Sequence, residues 1–264
     1  MSRRIFGLDF SGASDAGRRI WLAQAERTPT GIEVSSCESA CELPGGAVDR
    51  ASALAALRDF ITRSPDAIFG CDFPFSLPRA LIAAPDWTTF IADFDDVDAS
   101  AFRARCRQHS PNCEPKRLTD VEAKTPWCAF NVRLYRQSFH GLAEVLRPLV
   151  ALGRAAALPM QAAMADRAWL IETCPASVLK HLGWRGSYKG GTLKRQRQEI
   201  LQFLTDRSSL RPLSIPLQRR VVDDPGGDAL DSIIAALATA AALDEITDGG
   251  DSGDPLEGRV YFRV

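Results

Sequence analysis

Residues 4–10 have the sequence RIFGLDF and residues 67–73 have the sequence AIFGCDF, and these two apolar runs decide the fold. Between them, residues 19–25 and 31–36 form two further short runs after polar or glycine-containing turns. Three consecutive short strands with tight links predict an antiparallel meander. Residues 51–62 then carry apolar residues at helical spacing. A crossover through that helix predicts that the strand at 67–73 lies parallel to the first strand.

The rest of the chain is mostly helical by pattern, with one more buried strand. Residues 76–165 are predicted to form a helical insertion or cap whose longest segment covers 130–150. Ala168–Thr173 is predicted as a buried strand, and the last long helix begins near Pro225. Smaller predicted elements are a helix at 193–205, a Gly/Asp loop at 248–254 and an edge strand at 259–264. This order predicts a single α/β domain over 1–264: a mixed sheet flanked by helices, with a helical insertion between the fourth and fifth strands.

The composition is that of a globular protein. Of the 264 residues, 45% are hydrophobic and 25% are charged, which suits one large domain. No run approaches the roughly 20 apolar residues of a membrane helix, and the first ten residues do not resemble a signal peptide. We therefore expect a cytoplasmic protein with no membrane partner. Its seven irregularly spaced cysteines indicate reduced thiols. A net charge of −1 excludes the global basic field typical of non-specific nucleic-acid binders.

Five acidic residues fall at the predicted ends of separate elements. Asp9 ends the first strand and Asp72 the fourth, so both side chains should emerge at one end of the sheet. Asp228 and Asp231 are three residues apart in the last helix and therefore share one side of its first turn. Glu172, at the end of the next buried strand, is a fifth candidate ligand. Converging carboxylates repel each other unless a cation compensates them, so the pattern predicts Mg²⁺ or Mn²⁺.

Each acid also has an ordinary structural explanation. Asp228 and Asp231 can complement the positive end of the helix dipole. Asp9 can begin an Asx-type turn, and Asp72 can simply end its strand. We favour the metal site because the four residues come from three separate elements whose predicted ends coincide.

Residues 173–198 contain six lysines or arginines and no acid. Cations of this kind contact phosphates, and aromatic rings between them can stack on bases. With additions from the insertion, the candidate substrate-binding residues are Arg133, Arg136, Trp184, Arg185, Tyr188, Lys189 and Lys194. The alternative is an exposed amphipathic segment with packed aromatic rings.

Other familiar site patterns are weak or missing in the sequence. Cys106, His109, Cys113 and Cys128 are possible zinc ligands, but their spacing is not that of a common zinc module. We therefore favour ordinary thiols at these positions. The sequence contains no Walker loop and no dinucleotide-binding fingerprint.

Five segments together resemble the DUF429 family, whose members are predicted to be ribonuclease H-like nucleases. They are GLDFSGA (7–13), FGCDFPFSLP (69–78), KTPWCAFNVRLYRQSFHG (124–141), IETCPASVLKHLGWRGSYKGG (171–191) and GGDALDSIIAALATA (226–240). The pair Asp228 and Asp231 also resembles the acidic pair on the last helix of RuvC-type resolvases. In that comparison Asp9 and Asp72 match the acids of the first and fourth strands, and Glu172 matches the DUF429 pattern. The resemblance implies a ribonuclease H-like fold.

The carboxylates and the resemblance together predict a metal-dependent phosphodiesterase, most simply a nuclease. Two divalent ions would be held by Asp9, Asp72, Asp228 and Asp231. The enzyme would act on nucleic acid or on a small phosphorylated molecule. One alternative is an enzyme that hydrolyses nucleotides or transfers phosphoryl groups, because such enzymes share the fold. The other is a protein that binds nucleic acid or another ligand without catalysis.

Overall fold

The computed structural model describes residues 3–247 and 253–264, and the strands within them form one mixed seven-stranded sheet. The strands are β1 (Arg4–Asp9), β2 (Trp21–Thr28), β3 (Gly31–Ser39), β4 (Ala67–Asp72), β5 (Ala155–Leu158), β6 (Ala168–Thr173) and β7 (Val260–Tyr261). The α-helices are α1 (Ala16–Arg19), α2 (Arg50–Thr62), α3 (Trp87–Ala92), α4 (Ala99–His109), α5 (Leu118–Ala123), α6 (Tyr135–His140), α7 (Arg147–Ala151), α8 (Pro175–Leu182), α9 (Lys194–Arg207), α10 (Ile215–Asp223) and α11 (Asp228–Thr247).

The sheet has the order β3-β2-β1-β4-β6-β5, and β7 pairs with the end of β6. Strands β1, β2 and β3 form the predicted antiparallel meander. Strand β4 lies parallel to β1, as the crossover through α2 predicts, and Asp9 is paired with Asp72 in that register. Strands β4, β6 and β5 are parallel to one another. The α/β class and the mixed sheet flanked by helices are therefore confirmed.

The predicted range of the insertion differs from the structure at its carboxyl end. Residues 76–165 are not helical throughout, because they include β5, which makes Ala168–Thr173 the sixth strand in chain order. The sequence of β5 is AAAL, and alanine has little strand preference, so no strand signal was visible. The predicted long helix at 130–150 consists of α6, a π-helical turn and α7. Of the predicted loop at 248–254, residues 248–252 lie outside the described part of the chain.

Helices cover both faces of the sheet. One face packs against α2 and the helices of the insertion, and the other packs against α8, α9, α10 and α11. Helix α11 lies directly on β1 and β4, where Gly7 and Gly70 are paired in register. A Cβ atom at Gly7 would be 2.0 Å from the carbonyl oxygen of Ser232, and one at Gly70 would be 1.9 Å from Oγ1 of Thr239. The two glycines therefore allow the close contact that brings the start of α11 to the strand ends.

Among the described residues, no helix has both the length and the apolar character required to cross a membrane.

Candidate functional site

Four aspartates converge where β1 and β4 end beneath the first turn of α11. Alternation along a strand puts Asp9 on the same face as Gly7, and Asp72 on the same face as Gly70. This is the face that α11 covers, and Asp228 and Asp231 form its acidic first turn. Asp9 and Asp231 are buried, the latter with 2% of its surface exposed. The sequence prediction that these four residues approach one another agrees with this arrangement.

The cluster is built around a lysine that the sequence analysis assigned to substrate binding. The ammonium nitrogen of Lys189 lies 2.5 Å from Oδ2 of Asp231 and 3.8 Å from Oδ1 of Asp228. The other carboxylate oxygen of Asp231 accepts a 2.6 Å hydrogen bond from the hydroxyl group of Tyr188. Both oxygens of Asp231 therefore already have partners.

A buried guanidinium group fixes the backbone on both sides of Lys189. Nη1 of Arg197 donates to the carbonyl oxygens of Tyr188 and Gly190, at 2.8 and 2.9 Å. Nε of Arg197 donates to the carbonyl oxygen of Val222 at 2.9 Å. The segment therefore presents Lys189 to the carboxylates in a defined position.

Burial and mutual repulsion shift the protonation of the cluster. Burial raises the pKa of Asp9 well above its usual value, although Lys189 opposes the shift. Burial and the charge of Asp231 raise the pKa of Asp72 to about 7, and burial raises that of Asp228 to about 6. Burial lowers the pKa of Lys189, but the negative charges of Asp231 and Asp9 raise it by a larger amount. The pKa of Lys189 therefore lies above its usual value. The site therefore favours bound positive charge.

Asp224 supplies the hydrogen bond that caps the start of α11. Its Oδ2 accepts a 3.0 Å hydrogen bond from the backbone amide of Ala229, and its Oδ1 accepts one from Gly226, just before the helix. Asp228 and Asp231 still lie in the first turn, where they complement the helix dipole. Asp228 also faces Lys189, so both explanations apply to it.

Glu172 is not available as the predicted fifth metal ligand. In the parallel register it is paired with Cys71 rather than with Asp72, so its side chain points to the opposite face of the sheet. There its two carboxylate oxygens lie 2.5 and 2.7 Å from the guanidinium nitrogens of Arg117. Oε2 also accepts a hydrogen bond from the backbone amide of Phe75. Arg117 is completely buried and also pairs with Asp120, so this is an internal ion network.

The fit of a divalent ion depends on Lys189. Carboxylates are the ligands that Mg²⁺ and Mn²⁺ prefer, so the donor type is suitable. Among the described residues, however, no three His, Cys, Asp or Glu side chains are arranged so that they could hold a metal ion as they lie. The ammonium group of Lys189 occupies the space between Asp231 and Asp228. An ion would therefore require two changes, a movement of Lys189 and a rearrangement of the carboxylate side chains around the metal.

A cavity of about 310 Å³ opens beside the cluster. Asp72, Asp231 and Lys189 are among its lining residues, and the insertion contributes Trp127, Arg133 and other residues. The amide of Gln137 donates to the backbone carbonyl of Asp72 and so links the insertion to the end of β4. The carboxylates therefore form one wall of a cavity large enough for a small ligand.

Of the predicted substrate-binding residues, Tyr188 and Trp184 make contacts within the protein, whereas Lys194 forms a surface ion pair and stays accessible. Tyr188 is only 9% exposed and donates its hydroxyl hydrogen to Asp231, so it has no free ring face for a base. Lys194 forms an ion pair with Asp223. Trp184 packs against Phe203, with ring centroids 5.3 Å apart.

The remaining predicted cations lie on surfaces near the cluster. Arg133 lines the cavity, and Arg136 lies over the ring of Tyr135. Arg185 lies in a groove that we call the basic groove, which is also lined by Lys124, Lys180, His181 and Arg263, and by Glu122, which pairs with Arg263. Lys124 and Ser177 line the groove, and their neighbours in the sequence, Thr125 and Ala176, line the cavity. The basic groove therefore adjoins the cavity along α8.

The possible zinc ligands do not come together. Cys106 and Cys128 are buried, Cys113 is exposed, and Nδ1 of His109 lies 3.0 Å from the carbonyl oxygen of Arg105. In the described ranges these residues form no group of three that could hold a metal.

Two residues that shape the site, Arg117 and Trp127, are absent from the sequence predictions, and Lys189 has a different role from the predicted one. Lys189 was assigned to substrate, because nothing in the local spacing connects it with Asp231. Arg117 gave no signal, since an isolated arginine in a helical region is normally exposed. Trp127 lies within the quoted segment 124–141, and its large ring beside a proline was the available clue.

Comparison with known proteins gave no match to this chain among family models, curated proteins or solved structures.

Proposed function

We propose that the protein is a metal-dependent phosphodiesterase with a ribonuclease H-like fold, acting as a nuclease or on a small phosphodiester. The observation that carries the proposal is the convergence of Asp9, Asp72, Asp228 and Asp231 beside a cavity. The antiparallel meander followed by a parallel fourth strand supports the fold. The five sequence segments that resemble the DUF429 family are a further reason for the proposal, and no family model matches the chain.

The four aspartates would hold Mg²⁺ or Mn²⁺. A divalent ion held there would lower the pKa of a bound water and neutralise charge on the phosphate. Lys189 is fixed close to the same carboxylates through Tyr188 and Gly190, so its ammonium group can contact a phosphate oxygen once it leaves Asp231. Binding of ions there would require Lys189 to leave Asp231 and the four carboxylates to close around the metal.

The substrate phosphates would be attracted by the basic groove. Arg185 and Lys180 lie there beside the cavity. They make this surface locally positive, although the net charge of the protein is only −1. Cations along such a groove position a phosphate backbone without reading its sequence. We therefore propose nucleic acid as the leading substrate class.

Metal binding and cleavage together test this function. Calorimetry should show Mn²⁺ binding to the wild-type protein, and Mn²⁺ should stimulate cleavage of single-stranded DNA, single-stranded RNA or bis(p-nitrophenyl) phosphate. Asp9→Asn should lose both properties. Release of inorganic phosphate from ATP without cleavage of these diesters would favour a nucleotide-hydrolysing enzyme. Nucleic-acid binding without cleavage in Mg²⁺ or Mn²⁺ would indicate a non-catalytic binding protein.

A further inference from the structure

The cavity beside the carboxylates is lined by two chemically different sets of residues. One set is Asp72, Asp231 and Lys189. The other set is Trp127 and Arg133, which belong to the segment between α5 and α6. A ligand with a phosphate group, contacted by Lys189 or by a metal ion, and with a planar group would use both sets.

Trp127 and Arg133 form a stacked pair. The guanidinium carbon of Arg133 lies 4.8 Å from the centre of the Trp127 ring, and 38% of Trp127 is exposed. Asn131 supports this arrangement, because its Oδ1 accepts a hydrogen bond from the backbone amide of Arg133 and its Nδ2 donates to Glu114. Aromatic rings and guanidinium planes both stack on nucleobases.

A buried hydroxyl group in the cavity wall lacks a protein partner. Thr173 ends β6, lines the cavity and is 2% exposed. Its Oγ1 makes no hydrogen bond to any group in the described ranges. Buried polar atoms normally have partners, and a small displacement of Thr173 would let this hydroxyl bond to a polar group of a ligand in the cavity.

The volume limits the ligand to one unit. About 310 Å³ lies at the lower end of the range for small-molecule sites, and it does not admit a base pair. We propose that the cavity binds a single unpaired nucleotide unit, with its base against Trp127 and Arg133 and its phosphate at the carboxylates. This inference rests on the proposed phosphodiesterase function and narrows its substrate to single strands, strand ends or dinucleotides rather than intact duplex.

Binding in Ca²⁺ tests the inference separately from turnover. The probes are a six-nucleotide oligothymidylate, the same sequence as a duplex with oligoadenylate, and the dinucleotide thymidylyl-thymidine. We expect the hexamer to bind at least about 10-fold more tightly than the duplex. Trp127→Ala should weaken hexamer binding by about 10-fold, and Trp127→Phe should retain most of it. Val132→Ala, on the same exposed segment but outside the cavity lining, is the matched control and should bind normally.

The outcomes distinguish a failure of the nucleotide-binding inference from a failure of the proposed phosphodiesterase function. Hexamer binding that quenches tryptophan fluorescence in the wild type but not in Trp127→Phe supports the stacking contact. Dinucleotide binding as tight as hexamer binding supports a small phosphodiester as the source of the nucleotide unit. Equal duplex binding, unchanged hexamer affinity in Trp127→Ala, or no binding of any probe would overturn the inference, even where Mn²⁺ still binds through Asp9. Absence of Mn²⁺ binding would overturn the proposed function itself.

Discussion

The ammonium nitrogen of Lys189 lies 2.5 Å from Oδ2 of Asp231, inside a cluster that the sequence predicts to be a metal site. The carboxylates therefore have one cation of their own before any ion binds. Lys189 and a divalent ion then compete for the same oxygens. Three of the predictions below concern this cluster, and the others concern the ion network and the basic groove.

The first prediction identifies the metal ligands. Asp9→Asn and Asp72→Asn should abolish Mn²⁺ binding, because each removes one of the carboxylates that face α11. The melting temperature of the metal-free variants should be unchanged or higher, since a repelling buried charge is lost. Calorimetry and thermal unfolding measure the two effects. Glu172→Gln is the matched control, and its Mn²⁺ affinity should equal that of the wild type.

The second prediction concerns Lys189, the lysine whose ammonium group contacts the acidic cluster. Lys189→Met keeps most of the side-chain volume but removes the positive charge, so Mn²⁺ affinity should rise by about 10-fold or more. Lys194→Met should leave the affinity unchanged, because Lys194 is paired with Asp223 outside the cluster. Weaker Mn²⁺ binding by Lys189→Met, measured by calorimetry, would contradict competition between the two cations.

The third prediction is a pH dependence of the stability of the metal-free protein. Burial and Asp231 raise the folded-state pKa of Asp72 to about 7, compared with about 3.9 in an unfolded chain. The folded state then binds more protons than the unfolded state between these values, so this contribution to stability is present at low pH and is lost as pH rises towards 7. The fall in melting temperature from pH 5.5 to pH 7.5 should therefore be smaller, by about 2 °C or more, in Asp72→Asn than in the wild type. An identical fall in both proteins would disprove the assignment.

The fourth prediction concerns the buried ion network. Arg117→Met leaves Glu172 and Asp120 buried without their cation, and the free energy of unfolding should fall by about 3–5 kcal/mol. The control is Arg4→Met, which breaks an exposed ion pair with Asp66 and should cost about 0–1 kcal/mol. Denaturant unfolding measures both values, and similar losses in the two variants would refute a structural role for the network.

The fifth prediction concerns the basic groove. Lys180→Ala and Arg185→Ala should each weaken binding of single-stranded nucleic acid and lower the salt dependence of the affinity by about one unit per lost phosphate contact. Lys194→Ala, whose partner is Asp223, should keep the wild-type slope. Titrations at several salt concentrations give the slopes. If all three variants keep the wild-type slope, the groove does not bind phosphates.

Much of the architecture follows from local patterns. The apolar runs ending in Asp9 and Asp72, with a helix between them, determine the parallel pairing that brings these two residues together. The alanine-rich pattern of α11 predicts its close packing on the sheet. The short strand β5 was not predicted, because its sequence, AAAL, is as compatible with a helix as with a strand.

The contents of the site depend on contacts between residues that are distant in sequence. Register decides that Glu172 faces Arg117 rather than Asp72, and a shift of one residue would have reversed this. Lys189 meets Asp231 only because Arg197 fixes its segment across the start of α11. Neither relationship has a signature in the spacing of the sequence.

The paired glycines Gly7 and Gly70 allow the short distance between α11 and the sheet. Metal affinity depends on this distance, because it brings the aspartates of the helix to those of the strands. Any larger side chain at either position would lift α11 from β1 and β4, and the two halves of the acidic cluster would separate with every aspartate intact. Positions that never touch an ion can thus matter as much as its ligands. A search for inactive variants of this chain should recover both glycines alongside the four aspartates.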